Sequence, residues 1–373
     1  MFPFLAVMSF SALALFTVTF NGKSPALAPP PCLTATKQGS VGPLPPGQAF
    51  GENISERVEI GRSFCTMLSQ LENPPFLKKG PKGGGDARPF TSTCSTKMFE
   101  DRRPLQLLLE NKYTAQVYAE SLGIPTIPLL AVLKRSQDIP WDTLPSRYVI
   151  KTNHWSGKVW IDVDGVDIRA GGSGEDHKQR KFDRAVTTRE IDEIMPKSWS
   201  AVEWAASHIA DKRILVQQYI PQALDIKVFT FHGRAAYYYM WALSSHAVKS
   251  VYDVYDSEGR RTNYQLSSEP VPFNASDHRT FPEVFGEQKW ANLRKYVDLL
   301  AKGLDFMRVD FVVADDAVRF IEYTNYPGGC SLPMRNGWDK AAGDLWWKVR
   351  PNTTRHVHNR SVNGLPPWGG ENR

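Results

Sequence analysis

The sequence predicts an α+β chain in which antiparallel strands return through short turns between amphipathic helices, and three stretches carry that reading. Met307–Val313 and Val318–Tyr323 are apolar runs around an Asp-Asp turn, the pattern of a β-hairpin. Tyr148–Lys151 and Lys158–Asp162 form a second strand pair around a small polar loop. Leu105–Leu122 and Trp290–Leu304 repeat their apolar residues at helical spacing, and the first stops at Gly123-Ile124-Pro125.

From the N-terminus, the 373 residues, 42% of them hydrophobic, suffice for one large or two medium domains. The net charge of +6 arises from interspersed Lys/Arg and Asp/Glu, which argues against a nucleic-acid-binding tail and suits an acidic glycan or a nucleotide. Phe2–Phe20 is uncharged and apolar, with Lys23 the first charge. Residues 1–28 therefore read as a signal peptide, with Ala26-Leu27-Ala28 as its cleavage site, or as an uncleaved membrane anchor. Either puts the protein in the secretory pathway lumen, secreted or anchored in a Golgi-type membrane. Four Asn-x-Ser/Thr sequons, at Asn53, Asn274, Asn352 and Asn359, agree with that route. Cys32, Cys65, Cys94 and Cys330 allow three pairings and show no metal-type spacing. Cys65–Cys94, flanking a Pro/Gly-rich segment, is the preferred bridge, with Cys330 an alternative free thiol.

Residues 29–103 read as a Pro/Gly-rich stem and loop region, with one short helix at Glu59–Leu71 and a basic loop at Lys78–Gly85. No strand precedes that loop, so it is not a phosphate loop. Periodic elements fill 104–346. In the helix Leu105–Leu122, Lys112 taken alone is a solvated face residue. Lys151 ends a buried strand, where its ammonium can project into a cleft against phosphate oxygens. Ser156 and Gly157 behind it let the backbone approach and offer N–H donors. Arg169–Lys181 is a polar surface excursion. Arg213–Ile220 is a strand leading to a hinge that carries Gln217 and Gln218. Asp225–Gly233, with Lys227, and Tyr237–Trp241 are further strands, and 347–373 is a polar tail.

The hairpin holds the chemistry. Asp310 lies between Val309 and Phe311, and Glu322 between Ile321 and Tyr323. A carboxylate among strand hydrophobes is costly without a cation or donors, and two that face each other repel. The economical partner is a hard divalent cation, and Mg²⁺ suits because it binds through one or two carboxylates while keeping substrate phosphates. Twelve positions apart, the two share a face only with an odd-length turn or a bulge. The alternative is a solvated edge with ordinary surface acids.

Met307-Arg308-Val309-Asp310, then Ile321-Glu322-Tyr323-Thr324-Asn325-Tyr326-Pro327-Gly328, resembles the metal-binding end of the TupA-like ATP-grasp family. Asn111-Lys112-Tyr113, Lys151-Thr152-Asn153-His154-Trp155-Ser156-Gly157 and Asp225-Ile226-Lys227 are similar to its other motifs. The likeness covers about Pro104–Trp346. It implies an α+β ATP-grasp fold, two lobes whose antiparallel sheets clasp ATP. It further implies Lys112, Lys151, Asn153, His154, Ser156, Gly157 and Lys227 as nucleotide contacts, and Gln217 and Gln218 at the adenine edge in place of the usual Glu pair. Mg²⁺ falls to Asp310 and Glu322 with Thr324 or Asn325, the usual Asn slot being Thr324. Arg308 is placed to clamp a substrate carboxylate, with Lys227 beside it. The implied activity is carboxylate–amine ligation through an acyl-phosphate, on an acidic glycan or its precursor in cell-surface polysaccharide biosynthesis. A sugar kinase and a non-catalytic glycan-binding relative are the alternatives.

Overall fold

The computed structural model describes residues 53–71, 88–168, 180–241, 252–267, 280–314 and 317–348. The expected leader, the Lys78–Gly85 loop, three of the four sequons and the C-terminal tail lie outside them. Among the described residues no helix is long and apolar enough to cross a membrane.

The strands form two antiparallel sheets. The first contains β1 (Leu129–Leu133), β2 (Arg147–Thr152), β3 (Val159–Val163), β4 (Val166–Asp167), β5 (Arg180–Lys181) and β6 (Ile214–Gln218), in the order β1-β6-β2-β3-β4-β5. The second contains β7 (Leu224–Phe231), β8 (Arg234–Trp241), β9 (Tyr252–Tyr255), β10 (Arg261–Leu266), β11 (Phe306–Val313), β12 (Val318–Thr324) and β13 (Met334–Arg335), in the order β12-β11-β7-β8-β9-β10-β13.

Period-two alternation assigns each face. In β2, Tyr148 and Ile150 join Trp160, Ile214 and Val216 in an apolar layer covered by the helix Arg184–Ile194, which turns Val149 and Lys151 to the opposite face. In β11, Met307, Val309, Phe311 and Val313 pack with Trp290, Leu293, Val297 and Leu300 of the helix Glu287–Ala301. Phe306, Arg308 and Asp310 occupy the other face. Its Phe306 end is closed by Phe90, Phe229, Phe231, Trp338 and Trp346, and its Asp310 end is polar.

Of the expected stem and loop region, the described residues 53–71 and 88–103 are largely helical. The helix Ile54–Ser69, capped by the Asn53 side chain, stacks Phe64 on Tyr118 with ring centres 4.3 Å apart. A second helix, Phe90–Glu100, carries Cys94, which bonds to Cys330 in the turn Pro327–Cys330. The bridge is therefore Cys94–Cys330, not Cys65–Cys94: it closes 236 residues and ties the helix to the end of the hairpin. The single helix expected over Leu105–Leu122 is two, Leu105–Glu110 and Lys112–Ser121. Asn111 is extended between them, and its side chain accepts the N–H groups of Tyr113 and Thr114 as an N-cap.

Candidate active site

A cavity of about 230 Å³ opens between the two sheets. The first sheet contributes Val149, Lys151, Val159 and Gln217, and the loop after β2 adds Trp155, Ser156, Gly157 and Lys158. Lys112 and the hairpin residues Ile321 and Glu322 form the facing wall. The walls are apolar where Val149, Ile127 and Ile321 meet and cationic where Lys112 and Lys151 meet.

Lys151 is buried and makes no hydrogen bond or close ion pair among the described residues. Burial pushes its ammonium down to about 8, with Glu322 opposing the shift. Lys112 is no solvated face residue: its Nζ donates to the Trp155 carbonyl at 3.0 Å and lies 3.4 Å from Glu322. Gly157 has φ +74°, and the Trp199 ring lies over it, Trp199 meeting Trp155 edge-on at 5.6 Å.

Asp310 and Glu322 are direct cross-strand partners, and Lys227 flanks Asp310 on β7. The condition for a shared face is met by a bulge. Asp310 opposes Glu322 but Phe311 opposes Phe320, so Ile321 is extra and both Ile321 and Glu322 reach the cavity. Burial alone would raise the Glu322 carboxyl, yet Lys112, Lys151, Arg308 and Lys227 together hold it down to about 2. Arg308 grips Asp310 through two bonds of 2.7 and 2.5 Å, so its fork is occupied by that carboxylate rather than open for a substrate clamp. Lys227 pairs with Asp225.

The two carboxylates fit a divalent cation: they face each other on one wall, with cations rather than apolar groups around them. Thr324 opposes Arg308 on β11. Asn325 is fully buried and turned to another partner, its Nδ2 donating to the Gln106 carbonyl and to Glu110, while its Oδ1 is left without a hydrogen bond.

Three expected nucleotide contacts are not in the cavity lining: Lys227, paired with Asp225, and Asn153 and His154. Asn153 is fully buried and braces three segments: its Oδ1 accepts the Arg213 N–H, and its Nδ2 donates to Asn111 and to the Asp211 carbonyl. His154 is 3% exposed, with Nε2 3.3 Å from the Ile194 carbonyl, and burial pushes it down to about 4. It faces the helix Arg184–Ile194 and not the cavity. Both residues hold the loop whose next members line the site.

Gln217 and Gln218 do line the cavity. Gln217 Nε2 donates to Gln116 Oε1 at 2.9 Å, and Gln116 is itself held by the Ile127 carbonyl. The role of Gln116 was missed, although a polar residue on an otherwise apolar helix face was its available signal. Glu110 and Glu203 were also missed. Burial raises both, Glu203 to about 7 with Glu110 reinforcing it.

Two antiparallel sheets around a cationic cavity with opposed carboxylates define the ATP-grasp class. The family model for TupA-like ATPgrasp matches residues 93–346, and the chain belongs to that family. Among solved structures it is similar to D-alanine–D-alanine ligase from Bacillus anthracis complexed with ATP, at 15% identity, 65% of each chain covered and a TM-score of 0.37. The Helicobacter pylori D-alanine–D-alanine ligase follows, at 14% identity, with 65% of this chain and 62% of that chain covered and a TM-score of 0.36. The L-amino acid ligase from Bacillus licheniformis is 12% identical, covering 61% and 43%, with a TM-score of 0.33. The match thus spans slightly less than two thirds of the first of these relatives. No curated protein sequence matches the chain.

Proposed function

We propose that the protein is an ATP-dependent carboxylate–amine ligase. The observation that carries this reading is Lys151, a buried lysine without a partner in the wall of the inter-sheet cavity, opposite Glu322. Such an ammonium needs an anion, and nucleotide phosphates supply it. The apolar sector of Val149, Ile127 and Ile321 suits a purine, and the Gln217 amide, oriented by Gln116, suits its edge. Lys112, Lys151, Ser156 and Gly157 would hold the phosphates. Asp310 and Glu322, with Thr324 beside them, would hold Mg²⁺, which when bound neutralises phosphoryl charge.

In this reading a substrate carboxylate oxygen takes the γ-phosphoryl group and ADP leaves. An amine then attacks the acyl carbon, phosphate departs, and the amine loses its extra proton. The chain's own residues position the groups and offset charge. Arg308 holds Asp310 in place and partly offsets the rise that burial imposes on its carboxyl, and turns to a substrate carboxylate once Asp310 has another cation.

The carboxylate substrate in this proposal is an acidic glycan or its precursor in polysaccharide biosynthesis, and the setting is the secretory pathway lumen, possible membrane anchor included. The Cys94–Cys330 bridge supports an oxidising compartment.

The test is Mg²⁺-dependent ATP binding followed by trapping with hydroxylamine in the presence of glucuronate- and galacturonate-containing oligosaccharides. A hydroxamate and one ADP per turnover support ligation. ADP with a phosphorylated sugar and no hydroxamate would mean a kinase, and no nucleotide binding would mean a glycan-binding protein.

A further inference from the structure

Beside the cavity lies a cluster of acceptors that the nucleotide and metal carboxylates do not use. Glu110 ends the helix Leu105–Glu110, two residues before Lys112, and accepts the Asn325 amide at 2.9 Å. Glu203 opens the short helix Trp204–Ser207, which packs on that same helix. Its carboxylate is buried and makes no hydrogen bond or ion pair among the described residues. Burial raises both carboxyls, Glu110 adds to the rise at Glu203, and Lys112 opposes it at both. Lys112 is already engaged by Glu322 and the Trp155 carbonyl.

Two further oxygens in this place lack partners. Asn325 Oδ1 belongs to a fully buried side chain whose amide nitrogen is fixed on Glu110. The Tyr326 hydroxyl, in a side chain that is 3% exposed, has no hydrogen bond, and burial raises it with Glu110, Asp101 and Glu203 adding to the rise and Arg102 opposing it. Buried polar atoms without partners cost about 1–3 kcal/mol each, so a site that collects them implies a ligand that satisfies them. Asn325 Oδ1 is an acceptor, the Tyr326 hydroxyl can accept or donate, and the negative charge is that of Glu110 and Glu203, so the ligand these groups suit is a cationic donor. An ammonium group has three N–H donors for these oxygens. The place is also within reach of solvent, since Ala201 and Val202, directly before Glu203, are exposed.

We propose that Glu110 and Glu203, with Asn325 and Tyr326, form the subsite of the second substrate, a protonated primary amine. This rests on the ligase reading and deepens it: the amine is held as a cation next to Lys112, which joins the subsite to Glu322 and the phosphate end of the cavity. A carboxylate pair favours amines without an acidic group beside the nitrogen, such as amino sugars or amino alcohols, over α-amino acids.

The probes are glucosamine and ethanolamine, each against its neutral counterpart, glucose and ethylene glycol, titrated by calorimetry into the full chain loaded with Mg²⁺ and a non-hydrolysable ATP analogue. At least one amine should bind saturably, with at least a tenfold loss in Glu203→Gln and in Glu110→Gln and unchanged nucleotide affinity in both. Tyr326→Phe, which removes only the hydroxyl, should lose severalfold. Absence of amine binding, equal affinity in all variants, or equal binding of the neutral counterparts overturns the subsite. Failure of the wild-type chain to bind the nucleotide analogue instead overturns the ligase reading beneath it.

Discussion

Asp310 and Glu322 face each other across the hairpin because one extra residue, Ile321, is inserted between the pairs Asp310–Glu322 and Phe311–Phe320. Without it the ladder from Val313–Val318 would continue in a register that turns Glu322 toward the core side occupied by Phe320 and Tyr323. The bulge thus converts a packing strand into a site strand within two residues.

Substitution of either carboxylate follows directly. Asp310→Asn and Glu322→Gln should each abolish Mg²⁺-dependent ATP turnover, and Asp310→Asn, which leaves the buried Arg308 guanidinium without its counter-charge, should also lower the unfolding midpoint. A variant that retains turnover would place the metal elsewhere.

His154 makes the fold acid-sensitive. Its folded value of about 4 lies below the ordinary 6.5 because burial disfavours the imidazolium, an effect that the Ile194 carbonyl only partly opposes. Below pH 6.5 the unfolded chain takes up a proton that the native chain refuses, so stability falls as pH drops toward 4, by roughly 2–3 kcal/mol. His154→Gln should flatten urea-derived stability between pH 7 and 4.5 relative to the wild type.

These residues show what was legible in the sequence. Local alternation gave the hairpin, the β2–loop–β3 unit and the face of Lys151, because strand period fixes the face; the small loop gave Ser156 and Gly157, and Gln217 came from the family likeness, and all four line the cavity. The bulge at Ile321 was not legible, since it depends on pairing between strands. Asn153 and His154 belong to a recognisable motif, but the motif reports the loop as a unit and does not separate residues that touch a ligand from those that brace the loop. The cysteine pairing required the tertiary fold, which brings Cys94 to Cys330 across 236 residues. The helix break did leave a signal: Asn111, interrupting an apolar helical run, is a strong N-cap residue.

The other packing partner of the helix Phe90–Glu100 can be tested without touching a cysteine. Gly343, in the helix Trp338–Lys348, packs so closely on the start of Phe90–Glu100 that an added Cβ would lie 2.2 Å from the Arg88 carbonyl and 2.8 Å from the Phe90 nitrogen. Both neighbours are backbone and cannot rotate away. Gly343→Ala should cost roughly 3 kcal/mol in denaturant unfolding, the upper range for overpacking. A loss below about 0.5 kcal/mol would mean that the two helices do not meet there.

Reduction should weaken the same region. Closing a loop of 236 residues stabilises a chain by about 5.5 kcal/mol in the chain-entropy account. Cys330→Ser should therefore lower the unfolding midpoint strongly, and peptide mapping of the unreduced wild type should recover Cys94 joined to Cys330.

Lys151 gives the most direct test of the nucleotide site. In the free protein burial holds its ammonium down to about 8, below the ordinary 10.5, so at pH 8.5 much of it is neutral. A phosphate placed against it favours the charged form, and ATP binding at that pH should take up a proton. Calorimetry in two buffers of different ionisation enthalpy would register the uptake, which should shrink near pH 6.5, where the lysine is already protonated. Lys151→Met keeps an apolar stem of similar length, so the fold should hold. The same substitution should abolish the proton uptake and weaken ATP by about 2–3 kcal/mol, the scale for losing one partner of a charged hydrogen bond. Unchanged ATP affinity and unchanged proton uptake in the variant would move the phosphates away from this lysine and with them the proposed site.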